Sequence, residues 1–173
     1  MPTVLTHAVA GVGLTAVCLP AEPPWFWALA AGLAVLPDLD GVGFLLGVRY
    51  GSFLGHRGFS HSLLLAALVG LLTGWLAAPA AGVAWPLLAL FFFAAVASHG
   101  LLDGLTDGGM GVAYFSPFDR RRYFLPWRPI RVSAIGLAVL HRRTLPVLAS
   151  ELRWVWLPLA VAAAVSLAVR AAV

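Results

Sequence analysis

The sequence predicts an all-α, polytopic helical membrane protein: about four to five membrane segments, an interfacial helix and a long cytoplasmic-side loop. Three observations predict it. Of 173 residues, 61% are hydrophobic and only 10% are charged, with a mean hydropathy of +0.93. Soluble domains hold roughly 45–50% apolar and roughly 25% charged residues. Apolar runs also recur at close to the ~20 residues that a bilayer crossing needs. Finally, the charges that remain sit between those runs, because a charge in lipid is costly.

Five apolar stretches can be marked, at residues 4–19, 25–36, 62–78, 83–102 and 154–173. The last three are long enough to span. The first is borderline and the second is short, so that pair reads either as two crossings or as a tilted, partly inserted hairpin. Residues 20–24 and 79–83 are tight turns without a basic residue. Residues 37–61 and 103–153 are longer and carry the arginines. The length suits a single domain over 1–173.

The chain has eleven Arg and no Lys. With five crossings, the N-terminus and both long connections share one face, which then holds every Arg except Arg170. The positive-inside rule makes that face cytoplasmic, in a multi-pass protein of the bacterial inner membrane. The pI of about 10.2 does not indicate nucleic acid, because the basic residues lie between hydrophobic segments. An anionic membrane surface or a phosphorylated substrate suits them better, and Arg can grip phosphate with two parallel bonds. Cys18, the single cysteine, excludes an internal disulfide and a cysteine-rich metal site; within its apolar run it reads as a small packed hydrophobe. A cleavable signal peptide is not expected, since the first stretch lacks a basic leader and contains His7.

The connection after Asp103 opens with a Gly-rich turn, "TDGGMGVAY". It continues "FSPFDRRRYFLPWRPIR", where aromatics, prolines and arginines interleave as they do at headgroup level. Residues 133–152, interrupted by His141, Arg142, Arg143 and Pro146, read as the interfacial helix.

The polar residues gather at one boundary. His7 starts the first segment. Asp38 and Asp40, in "LPDLDG", close the second. His56 and His61, in "GHRGFSHS", precede the third. His99 and Asp103, in "SHGLLDG", end the fourth, and their i, i+4 spacing puts both on one helix face. Asp38 to Asp40 follow Pro37 and are expected on an extended turn. Mixed imidazole and carboxylate ligands suit Zn, Mn or Fe. Seven candidates exceed what one tetrahedral site needs, so two metals with a bridging carboxylate account for the surplus. Blander roles stand beside this one. His7 could pack between helices, His56 could orient a neighbour, and Asp38 or Asp40 could cap a helix. Asp107 suits a turn, His141 a solvated face and Asp119 local pairing with Arg120, Arg121 and Arg122.

"THAVAG", "LPDLDG", "HRGFSHS", "SHGLLDGLTDGG" and "SPFDRRRYFLPWRPI", in that order from Thr6 to Ile130, resemble the YdjM-type inner-membrane metal-dependent hydrolases, a family that also carries a LexA-binding label. The order His, Asp, His, then His-x-x-x-Asp is more distantly similar to the zinc-dependent phospholipase C and P1 nuclease group. That likeness implies one zinc on His61, His99 and Asp103 with Asp38 or Asp40, and a second on His7 with Asp103 bridging. The third-metal ligands of that group have no equivalent after Asp103. The group also ligates through its mature N-terminal amine, a role left open here for Met1 or Pro2.

The expected function is a membrane-embedded metal-dependent hydrolase, a phosphoesterase acting on a lipid phosphate or phospholipid. Asp38, Asp40 and His56 are the candidate acid–base residues, and Arg57, Arg122 and Arg128 the candidate phosphate holders. Rival readings are a metal-free lipid phosphatase with a His nucleophile, a metal or proton carrier, a haem protein, and a regulator that docks a cytoplasmic partner. The phosphatase reading lacks its Lys/Arg-rich upstream motif. A zinc metalloprotease lacks His-Glu-x-x-His.

Overall fold

Thr3 starts the first helix. Its hydroxyl accepts the Thr6 N–H, and α1 then runs Val4–Cys18. The computed structural model describes residues 1–133 and 144–172. Prolines open α2, Pro24–Val35, where a missing N–H costs nothing and φ is already helical. At Leu36 the backbone tightens into a 3-10 helix, Leu36–Leu46, which ends on Gly47 at φ 75°. Asp38 and Asp40 therefore lie on a 3-10 helix and not on the expected extended turn. Pro37 sits at the entry to that helix, where its missing donor is tolerated, and the tighter coil carries on past it. The short second stretch thereby becomes a 23-residue segment, Pro24–Leu46.

A 3-10 turn, Phe59–His61, leads into α3, Leu63–Ala81, capped by the Ser62 hydroxyl on the Leu65 N–H and closed by Gly82 at φ 66°. α4 is Trp85–Gly104. The last long helix joins α5, Thr144–Glu151, a π-helical segment, Leu152–Trp156, and α6, Leu157–Ala171. Among the described residues, four helices are long and apolar enough to cross a membrane: Pro24–Leu46, Leu63–Ala81, Trp85–Gly104 and Thr144–Ala171. α1, with 15 residues, is shorter. Half of the expected interfacial helix, residues 134–143 with His141, Arg142 and Arg143, lies outside the described residues. Thr144–Glu151 runs on without a break into the final helix.

Small residues set the helix contacts. α3 and α4 form the most extensive pair, and α2 lies along α1. In "GLLTG", Gly70 and Gly74 face α4. A Cβ on Gly74 would stand 2.3 Å from the Ala89 nitrogen, and one on Gly70 2.6 Å from the Phe93 nitrogen. Gly11 does the same for α1, with Ala30 oxygen 2.4 Å from the position of an added Cβ. Lipid supplies no hydrophobic drive for helix pairing, so close van der Waals approach of this kind holds the bundle together. Phe26, Ala30, Leu88 and Phe92 fill the core between α2 and α4. α6 buries no side chain. It is tied to α1 by Ser166, whose hydroxyl donates to the Val17 carbonyl at 2.7 Å, and by Arg170, which donates to the Cys18 carbonyl at 3.0 Å. Cys18 itself is exposed at the end of α1. The expected packed position is corrected, because the helix ends there with no neighbour over the thiol.

Residues 105–133 fold across one end of the bundle. Two isolated bridges, Thr106 with Ile130 and Val112 with Tyr123, organise them; no strand occurs among the described residues. The Tyr114 hydroxyl donates to the Gly100 carbonyl at 2.8 Å, and the Leu63 N–H to the Tyr114 carbonyl. That end is the one where α1 and α3 begin and α2 and α4 finish.

Candidate metal centre

Each element delivers polar residues to this end. The first turns of α1 carry His7, and the 3-10 helix after α2 carries Asp38 and Asp40. His56 lies in the loop before α3 and His61 in the adjoining turn, while the last turns of α4 carry His99 and Asp103. His7, His99 and Asp103 are fully buried, and His56 and His61 nearly so.

The structure brings these residues together. Asp38 Oδ1 is 3.3 Å from His99 Nε2, and 3.9 Å from both His61 Nε2 and His56 Nδ1. Asp103 Oδ2 is 3.4 Å from His61 Nε2, and its Oδ1 is 3.8 Å from His7 Nε2. The His7 and His99 rings stack with centroids 3.5 Å apart. Among the described residues, three trios could each hold one cation: His7, Asp38 and His99; Asp38, His56 and His61; and His61, His99 and Asp103. Metal–ligand bonds of ~2.0–2.1 Å give a tetrahedron with edges of ~3.3–3.4 Å. The Asp38–His99 and His61–Asp103 separations match that edge.

The hydrogen bonds point the same way. Nine buried side-chain polar atoms among the described residues lack a partner: both ring nitrogens of His7, both oxygens of Asp38, Nε2 of His56, His61 and His99, Asp103 Oδ2 and Arg57 Nε. Eight of them belong to the six residues of the trios. An orphaned buried polar group costs ~1–3 kcal/mol, so eight in one cluster form a donor set suited to a cation.

The opposite ring nitrogens of His56, His61 and His99 are occupied. His99 Nδ1 donates to the Ala34 carbonyl at 2.8 Å. That carbonyl is available because its 3-10 partner would be Pro37, which has no N–H. Asp40 lies 2.7 Å from His56 Nδ1 and 3.2 Å from His61 Nδ1, and it accepts the Ser60 hydroxyl. Burial works against a charged His61, but the carboxylates of Asp103, 3.4 Å from Nε2, and Asp40, 3.2 Å from Nδ1, hold its imidazole up at about 9. Asp40 thus orients rings, while Asp38 keeps both oxygens open. Outer carboxylates of this kind set the affinity of a metal site. Asp40→Asn is expected to weaken divalent-metal affinity about 10–100-fold without unfolding the protein, which isothermal titration in detergent will read.

The Met1 nitrogen lies 3.8 Å from Asp103 Oδ1. Burial draws its ammonium down to about 6, with Asp103 partly opposing.

Two comparisons with known proteins agree with this architecture. The family described as YdjM inner membrane protein matches residues 1–173. The chain belongs to the YdjM family. Its similarity to the inner membrane protein YbcI of Escherichia coli (strain K12) reaches 42% identity over 172 residues, 91% of this chain and 92% of YbcI. No solved structure matches it.

In this YdjM-family protein the three candidate phosphate-holding arginines occupy different surroundings. Arg57 is fully buried at a strained φ of 61°. Its Nε lies 2.9 Å from Asp103 Oδ2, close enough for an ion pair but out of line for a hydrogen bond. Nη2 donates to Asp103 Oδ1 and Thr106 Oγ1, and Nη1 to the Gly108 carbonyl. Arg57 thus faces inward, as the counter-charge of Asp103. Arg122 donates to the carbonyls of His56, Tyr50 and Ser52, pinning the loop that carries His56. Arg128 is exposed, 4.8 Å above the Phe124 ring. Asp107 serves its turn by accepting the Val132 N–H, and Asp119 pairs with Arg121 and Tyr123.

Sequence reasoning missed the Ser60 hydroxyl and the Thr3–Thr6–Glu151 network. A signal for the latter existed: Glu151 is one of two glutamates in the chain and stands in an otherwise apolar run.

Proposed function

We propose that this YdjM-family protein is a membrane-embedded, metal-dependent hydrolase that cleaves a phosphoester of a lipid phosphate or phospholipid. The observation that carries the reading is the cluster of eight unpartnered polar atoms at the buried end of the bundle. His61, His99 and Asp103 would hold one cation. Asp38 would serve a second with His7. Zn suits this donor set, with Mn or Fe as alternatives.

The lipid substrate is supported by the surface beside the centre. On the 3-10 helix, Leu39, Val42 and Leu45 recur every third residue and so align on one face. All three are exposed, Leu45 by 86%. That apolar stripe continues the lipid-facing surface past the level of Asp38 and Asp40. Beyond it stand Arg–aromatic pairs such as Arg120 with Phe53 and Arg128 with Phe124, a composition suited to phospholipid headgroups. Under the positive-inside rule, the arginine asymmetry supports a cytoplasmic position for this face.

When bound, divalent cations supply Lewis acidity to the phosphoryl oxygens and lower the pKa of water toward ~7. His56 is the residue placed to move protons. Its Nδ1–H is held by Asp40, and its buried Nε2 is unpartnered. Nε2 accepts a proton from the attacking water as oxygen bonds to phosphorus. The ester P–O bond breaks, and the leaving alcohol takes up a proton. Of the three candidate arginines, Arg128 is the exposed one and so the one available to the phosphate.

The purified protein is expected to release phosphate or headgroup from lipid phosphates, to lose that activity with EDTA, and to lose it at least 100-fold in Asp103→Ala. Activity unchanged in Asp103→Ala would overturn the assignment. Activity indifferent to EDTA would favour the His-nucleophile phosphatase instead.

A further inference from the structure

A second buried network lies outside the centre, at the junction of α5 and the π-helical segment. Glu151 is fully buried in an apolar helix, a costly place for a carboxylate without partners. Its three hydrogen bonds to described residues all come from one turn of another helix. The Thr3 N–H donates at 2.6 Å, the Thr3 hydroxyl at 2.7 Å and the Thr6 hydroxyl at 2.7 Å. Trp156 joins them, its indole N–H donating to Thr6 Oγ1 at 2.7 Å. A π-turn repeats at i, i+5, and that spacing brings Trp156 onto the face of Glu151.

That turn of α1 carries His7, the residue next to Thr6. Neither ring nitrogen of His7 has a partner, so no local hydrogen bond aims the ring. Its placement against His99 depends on how α1 is rotated and how deep it sits. Successive helix residues lie about 100° apart around the axis, so a small rotation of α1 would swing the His7 ring away from the centre. Glu151 is the polar anchor of the α1 turn that carries His7.

We propose that Glu151 is a positioning residue for the metal centre, holding the first turn of α1 through Thr3 and Thr6 so that His7 stands on His99. Its consequence for metal rests on the function proposed above, whereas its geometric part stands alone.

The test compares full-length wild type, Glu151→Ala, Glu151→Gln, Thr6→Val and His7→Ala in detergent. One readout is cobalt(II) titration, followed by the visible spectrum. The other is the rate at which diethylpyrocarbonate modifies His7, mapped by mass spectrometry with His61 as the internal standard. In Glu151→Ala we expect cobalt affinity to fall about 10–100-fold and the cobalt spectrum to shift toward that of His7→Ala. Adding His7→Ala to Glu151→Ala should cause little further loss. Modification of His7 should quicken at least tenfold relative to His61. Thr6→Val, close to isosteric, should move both readouts the same way by less, and Glu151→Gln should fall between. A folded Glu151→Ala with the wild-type cobalt spectrum and wild-type His7 protection overturns the inference. If Glu151→Ala does not fold, Thr6→Val and Glu151→Gln decide it by the same criteria. If wild type takes up no cobalt, the metal reading fails, and the His7 modification rates alone confirm or overturn the positioning role.

Discussion

Arg57→Ala is expected to lower the unfolding midpoint of the detergent-solubilised protein by the equivalent of ~3–5 kcal/mol, the usual cost of removing one partner from a buried ion pair. The side chain is fully enclosed, and its guanidinium reaches both oxygens of Asp103, Thr106 and the Gly108 carbonyl. Truncation leaves Asp103 without its permanent counter-charge and empties a cavity under the 105–133 loop. Gly109, at φ 94°, is shaped around the same group: a Cβ there would stand 2.6 Å from Arg57 Nη1. Arg57→Lys should recover little, because an ammonium cannot span carboxylate, hydroxyl and carbonyl with a planar fork. An unfolding curve for Arg57→Ala superimposable on that of wild type contradicts this account.

Gly74→Leu should damage fold and centre together. The added Cβ meets the Ala89 nitrogen at 2.3 Å and Cα at 2.5 Å, backbone atoms that cannot swing aside. Overpacking typically costs ~1–3 kcal/mol, and more where the backbone must move. α3 and α4 bring His61 to His99 and Asp103, so prying them apart should also weaken metal binding. Gly32→Ala is the control. Nothing lies within 4 Å of its added Cβ, so the change should be neutral or stabilising by up to ~1 kcal/mol. Thermal unfolding of the two variants beside wild type checks both statements, and equal midpoints for Gly74→Leu and wild type contradict the packing argument.

Much of this was legible in the chain. Hydropathy marks α3, α4 and the final helix because lipid-exposed helices need apolar residues all round. It loses the second span at Pro37, where two aspartates end the apolar run although the backbone coils on to Leu46. The motif histidines and aspartates could be assigned to one boundary from the alternation of helices alone. The division of labour between Asp38 and Asp40 could not, because it depends on which ring nitrogens each carboxylate meets. Nor could the stacking of His7 on His99, since the contacts that orient α1 are made with distant parts of the chain: Gly11 packs on Ala30, and Thr6 meets Glu151 across 145 residues. Arg57 is the instructive case. In the sequence it reads as a phosphate holder beside His61, and only the folding of residues 103–114 over it turns it inward onto Asp103.

The most direct test of the central claim is elemental analysis of protein purified in detergent without chelator, alongside His99→Ala and Asp38→Ala. The account predicts one to two equivalents of zinc, manganese or iron per wild-type chain, falling by at least one equivalent in each variant while both remain folded. Metal absent from wild type even after reconstitution, or present equally in all three proteins, would contradict it.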